Sequence, residues 1–129
     1  FRATALDNLA IEKVEQLNLV STTSSQLSDL LDREFSVLEA KSFEEVEDLQ
    51  NTKFSLMQDL QSGWDLLKQD DKLDQQIIDE LTHKLEMCKE KHLRNSLLLN
   101  KQMEITRNLL NAITQKTSAN ASVYDKLAK

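Results

Sequence analysis

Apolar residues recur along this chain at alternating spacings of three and four, in three runs separated by short polar stretches. That rhythm places side chains on one face of an α-helix and nowhere resembles the strict alternation of a strand. The first run holds Leu6, Leu9, Val14, Leu17, Val20, Leu27, Leu31, Phe35 and Leu38, and predicts a helix over about residues 3–40. The second, from Val46 through Leu49, Leu56 and Leu60 to Leu67, predicts a helix over about 43–68. The third runs from Ile78 through Leu81, Leu85, Cys88, Leu99, Thr106 and Leu109 to Ile113, and predicts a helix over about 75–116.

The expected architecture is all-α: an antiparallel long-helix hairpin or bundle of about three helices with coiled-coil character, forming one domain over 1–129. At about 1.5 Å rise per residue the second helix spans roughly 39 Å and the third roughly 63 Å. If they start from a shared turn, the last turns of the third helix overhang the second. Those turns carry Met103, Ile105, Leu109, Leu110 and Ile113. An apolar stripe left in water marks a surface that another molecule covers.

Local signals refine the boundaries. Ser42-Phe43-Glu44-Glu45 reads as a capping box, with Ser42 as cap and Glu45 reaching back. Acidic residues crowd the first turns after it, where they suit the helix dipole. Only one or two residues separate the first two helices, which implies a tight hairpin. Asp71 or Asp74 would cap the third helix. Ser21-Thr22-Thr23-Ser24-Ser25 is the expected weak point of the first helix, since Ser and Thr compete for backbone hydrogen bonds. Gly63, the single glycine, falls on the core stripe; it either makes room for a large ring on a facing helix or weakens the helix locally. The small polar residues 117–129 predict a mobile tail.

Composition supports long helices: there is no proline, one glycine, and aromatics are 5%. The net charge of −6 argues against nucleic acid or anionic lipid as the main partner. Residues 1–65 hold 5 basic and 13 acidic groups, and residues 66–129 hold 11 and 9. The imbalance fits either complementarity between packed helices or a C-terminal half suited to a different partner. Cys88 is the only cysteine, so no intramolecular disulfide forms. A lone thiol on an apolar stripe behaves as a small hydrophobe and fits a reducing cytosol. No stretch reads as a membrane span or a signal peptide.

Catalytic and metal chemistry find little support in these residues. Cys88 and His92 lie one turn apart, but with His83 they fall short of the four ligands of structural zinc. Glu80-Leu81-Thr82-His83 has the Glu-x-x-His spacing of a di-iron bundle, yet no second copy exists. One glycine cannot build a phosphate loop, and no turn presents a nucleophile. Binding through helix faces is what remains, with no cofactor and no enzyme activity expected. Asn95 sits where the third stripe calls for an apolar residue; it either fixes register or lies solvated at the stripe's edge. Tyr124, the sole tyrosine, is either incidental or a short docking element.

Several of these blocks resemble the FlgN-type flagellar export chaperones. They are Ser36-Val37-Leu38-Glu39-Ala40, Phe43-Glu44-Glu45-Val46-Glu47-Asp48-Leu49 with Lys53, Leu56 and Leu60, and Leu93-Arg94-Asn95-Ser96-Leu97-Leu98-Leu99. Leu109-Leu110-Asn111-Ala112-Ile113 and Ser122-Val123-Tyr124-Asp125 complete the set, which covers most of residues 35–125. Lys126-Leu127-Ala128 stands where that family often has a glycine soon after the tyrosine. The resemblance implies a cytoplasmic type III export chaperone. It would bind hook-associated (hook–filament junction) proteins, prevent their premature assembly and deliver them to the flagellar export gate. Carried over, client binding falls to Leu98, Ile105, Leu109, Leu110 and Ile113, and export-gate docking to Tyr124. The alternative reading is a non-catalytic, self-associating coiled-coil module of a larger assembly, in which a homodimer covers the free helix ends.

Overall fold

The computed structural model describes the backbone of residues 2–69 and 73–128, and the side chains of 11–69 and 73–115. Three helices follow in order: α1 (Arg2–Glu39), α2 (Phe43–Lys68) and α3 (Gln75–Ala128). The chain divides into two compact units, Phe1–Asn95 and Ser96–Lys129.

In the first unit α1 and α2 are antiparallel. Glu34 meets Gln50 and Lys53, while Val20, earlier in α1, meets Gly63, later in α2. The α3 residues of this unit run parallel to α1. Lys84 reaches Ser21, Cys88 reaches Ser24, Lys91 reaches Ser28 and Asn95 reaches Leu31, at a constant offset of 63 or 64 residues. Val20, Leu27 and Leu31 of α1, Leu60 and Leu67 of α2, and Leu81 and Cys88 of α3 form the buried core. Leu17, Leu56, Met57, Trp64, Leu73, Ile77 and Leu85 pack against it. Val14, expected on the inner face, is exposed. Leu6 and Leu9 lie outside the described side chains.

The α1–α2 turn is a Schellman motif. Ser42 N donates to Val37 O at 3.1 Å and Lys41 N to Leu38 O at 3.0 Å. These bonds satisfy carbonyls that a helix end leaves without partners. Lys41 occupies the left-handed region, with φ 59°. The expected capping box does not form. Ser42 makes no side-chain capping hydrogen bond, although its carbonyl accepts from Val46 N at 3.1 Å. Ser42 has φ −82° and ψ 74°, and the turn is closed by the backbone bonds of the Schellman motif. Asp74 does cap α3: its Oδ1 accepts from Gln76 N at 3.2 Å. Asp71 lies outside the described residues.

Two local expectations change for tertiary reasons. The Ser/Thr stretch does not break α1, because it is a packing seam. Thr23 and Ser24 are buried, and Ser24 Oγ donates to Ser21 O at 2.8 Å within the helix. Small side chains let α3 approach closely, so the cost in propensity is offset by burial. Gly63 makes room for an aliphatic side chain and not for a ring: a Cβ there would stand 2.9 Å from Val20 Cγ2. α3 also continues as helix to Ala128, beyond the predicted end near 116. No glycine or proline lies in that stretch, so nothing in the chain terminates the helix.

Candidate functional site: the C-terminal face of α3 and the polar layer before it

The α3 seam can be followed in steps of seven. Leu81, Cys88 and Asn95 are buried, Gln102 is half-buried, and Leu109 is 59% exposed. One stripe thus serves as core in the first unit and as surface in the second.

Around Leu109 the second unit is apolar and accessible. Ile105 is 51%, Leu110 59% and Ile113 61% exposed, with Met103 beside them. Leu98, assigned to the same surface from sequence, is half-buried. Leu97, not singled out from sequence, is as exposed as Ile113. It lies off the heptad stripe, which is why periodicity missed it. Tyr124 falls within α3, but its side chain lies outside the described ones.

A polar layer closes the first unit where the stripe passes from buried to exposed. Glu34, Lys53 and Asn95 are 2%, 6% and 1% exposed, one from each helix. Glu34 Oε1 accepts from Lys53 Nζ at 3.2 Å and from Asn95 Nδ2 at 2.9 Å. Its Oε2 accepts from Lys53 Nζ at 3.2 Å and from Gln50 Nε2 at 2.8 Å. Asn95 Nδ2 also donates to Leu31 O at 2.8 Å, and Asn95 Oδ1 accepts from Arg94 Nε at 3.1 Å. The Asn95 amide therefore uses both its donors and its acceptor. Buried charge costs heavily unless it is paired and hydrogen-bonded, and this layer meets both conditions.

Electrostatics follow from that geometry. Burial pushes the Glu34 carboxyl up, but the hydrogen bonds from Gln50 and Asn95 and the Lys53 charge outweigh it and hold the group below its ordinary value. Burial and the Lys53 charge lower the His92 imidazole, with Glu34 partly opposing. Burial raises the Cys88 thiol, whose Sγ donates to Ser24 O at 3.3 Å. Such a thiol is a packing group and a poor nucleophile.

On the outer side of the layer Arg94 stacks 4.1 Å from the Phe35 ring centre, and its Nη2 reaches Asp32 Oδ1 at 3.4 Å. Lys91 Nζ donates to Asp32 Oδ2 at 2.7 Å and to Ser28 Oγ at 2.7 Å. The Lys91 hydrogen bond leads in holding the Asp32 carboxyl below its usual range. These contacts tie α3 to α1 just before Ser96.

Of the two open readings of Asn95, the buried one holds. Glu34 and Lys53 were missed from sequence, yet a signal existed: Glu34 stands three residues after Leu31, and Lys53 seven before Leu60. Both occupy core positions of their heptads.

Among the described residues no group of three or more His, Cys, Asp or Glu could hold a metal ion, and no helix is long and apolar enough to cross a membrane. No protein-family model, curated protein or solved structure matches the chain, so the reading of its surfaces rests on their own chemistry and on the sequence resemblance.

Proposed function

We propose that the protein is a FlgN-type flagellar export chaperone that holds hook-associated proteins on the C-terminal face of α3 and delivers them to the export gate. The observation that carries this reading is the exposure of Ile105, Leu109, Leu110 and Ile113 on the continuation of a stripe that is core elsewhere in the same helix. A face built to core specification and left in water suits an aggregation-prone amphipathic client segment. Helix-in-groove recognition uses anchors spaced three, four and seven apart, as Ile105, Leu109 and Ile113 are.

Magnitudes set the size of the contact. Complete burial of such a side chain contributes about 1.5–3 kcal/mol, but only the exposed part, near 60%, is still to be gained. Three anchors then supply about 3–5 kcal/mol gross, which barely meets the association cost of about 4 kcal/mol or more. The client must also cover Met103 and Leu110, so the contact extends over residues 103–113. The resulting affinity is moderate and compatible with release at the gate. In this reading Tyr124 serves gate docking, and the setting is the cytoplasm.

Titration calorimetry with purified hook-associated proteins tests the reading. Leu109→Asp should keep the helical content and melting temperature of the parent and lose measurable client binding. Parent-like affinity in that variant would remove this face from the mechanism.

A further inference from the structure

The polar contacts described above between α3 and α1 in the first unit run one way: the donors stand on α3 and the acceptors on α1. Lys84 and Lys91 donate to the hydroxyls of Ser21 and Ser28, each at 2.7 Å. Cys88 Sγ donates to Ser24 O, and Asn95 Nδ2 to Leu31 O. Lys91 and Arg94 both hold Asp32. Lys84, Cys88, Lys91 and Asn95 lie on one face of α3, and Ser21, Ser24, Ser28 and Leu31 on one face of α1.

Those acceptors lose little when α3 leaves. Ser24 O and Leu31 O lie inside α1, where the helix supplies each with a hydrogen bond of its own. The serine hydroxyls can turn to water. Glu34 gives up the Asn95 amide but keeps Lys53 and Gln50, both from α2. Exchanging such bonds for bonds to water changes the free energy far less than breaking them outright. The apolar share of α3 is also small: it gives the buried core Leu81 and Cys88, while Ile77 and Leu85 are partly buried against it.

α1 and α2 are joined more tightly. Gly63 brings α2 close against Val20, Leu60 and Leu67 are buried, and Lys53 is buried on Glu34. Between α2 and α3 a groove of about 300 Å³ opens, with Met57, Leu60 and Trp64 on one side and Leu85 and Cys88 on the other. α3 is thus fastened chiefly to α1, along a face of α1 that tolerates water.

We infer that residues 75–95 of α3 form a detachable strap, which releases α1 as one piece while α1 and α2 stay paired. Its release uncovers Leu27 and Leu31 of the core. The inference concerns the first unit alone and does not depend on the identity of the client.

Cys88 reports the release, because it is the only thiol, is buried, and lies on the α1–α3 seam. Its labelling by N-ethylmaleimide is followed in increasing urea, beside the unfolding of the same protein by circular dichroism. Below the unfolding transition, labelling should depend on urea with a shallower slope than unfolding, since release exposes less surface. Lys84→Ala combined with Lys91→Ala should speed labelling about tenfold. Gly63→Ala, which perturbs only the α1–α2 seam, should ease unfolding about fivefold and leave labelling unchanged. A labelling slope equal to that of unfolding, or labelling sped by Gly63→Ala as much as unfolding is, would overturn the inference: α3 would then leave only when the whole unit unfolds. A slope of zero would overturn it too, by showing that Cys88 is reached through fluctuations smaller than release of the strap.

Discussion

Lys53 Nζ lies 3.2 Å from both carboxylate oxygens of Glu34, and neither side chain reaches solvent. Such a pair is weak evidence for stability, since desolvating two charges offsets most of their attraction. Losing one partner is another matter, because it strands the other. Lys53→Met should destabilise the protein by about 3 kcal/mol. The combined Glu34→Leu, Lys53→Met and Asn95→Leu replacement should fall within about 1 kcal/mol of the parent or exceed it. The same triple variant should lose its single α3 register, seen as broadened amide resonances at the α1–α3 contact. Sharp parent-like spectra would show that packing alone specifies the register.

Acidification should act in two stages. His92 is held below its ordinary 6.5, so the folded state binds its proton less readily than the unfolded chain does. Stability therefore declines as pH falls through 6.5, until the lower folded value is passed. Glu34 is held below 4.5; its contribution is complete above that value and is lost as pH falls through the folded one. Urea melts across this range should show His92→Gln removing the upper stage and Glu34→Gln the lower. An unchanged pH profile in Glu34→Gln would mean that other carboxylates dominate acid unfolding.

Gly63→Ala pits local preference against packing. Alanine gains about 1 kcal/mol of helix propensity, but its Cβ would stand 2.9 Å from Val20 Cγ2, on a stiff, buried side chain. Overpacking costs about 1–3 kcal/mol, so the net change should be destabilising by about 1 kcal/mol. In a Val20→Ala background the same substitution should stabilise. A double-mutant cycle by chemical denaturation measures the sign change.

Lys41 holds a left-handed conformation that costs a residue with a Cβ about 1–2 kcal/mol. Lys41→Gly should raise stability by about 0.5–1 kcal/mol after the added entropy of the unfolded chain. Thermal denaturation would reveal it, and a lower melting temperature would indicate that the lysine side chain makes a compensating contact.

How much was legible in advance follows from the range of each interaction. Spacings of three and four report contacts within one helix, and they located α2 at Phe43–Lys68 and α1 within a residue of its observed ends. That no strand occurs among the described residues was equally legible, as was the apolar, accessible stretch at Ile105, Leu109, Leu110 and Ile113, because its spacing is visible in the chain alone. Local scales misjudged residues whose fate depends on a neighbour. Ser21–Ser25 looked weak by propensity and is instead the seam that α3 needs.

The sequence by itself determined that there are three helices, the bounds of α1 and α2, the start of α3 and the apolar stripe along it. Only the tertiary structure decided which polar residues on those stripes are buried. Glu34 is charged and Asn95 polar wherever they stand, but whether they meet water depends on partners 19 and 61 residues from Glu34. The groove beside Trp64 has the same origin: it exists because two helices both pack on a third, a relation that no single stretch of chain encodes.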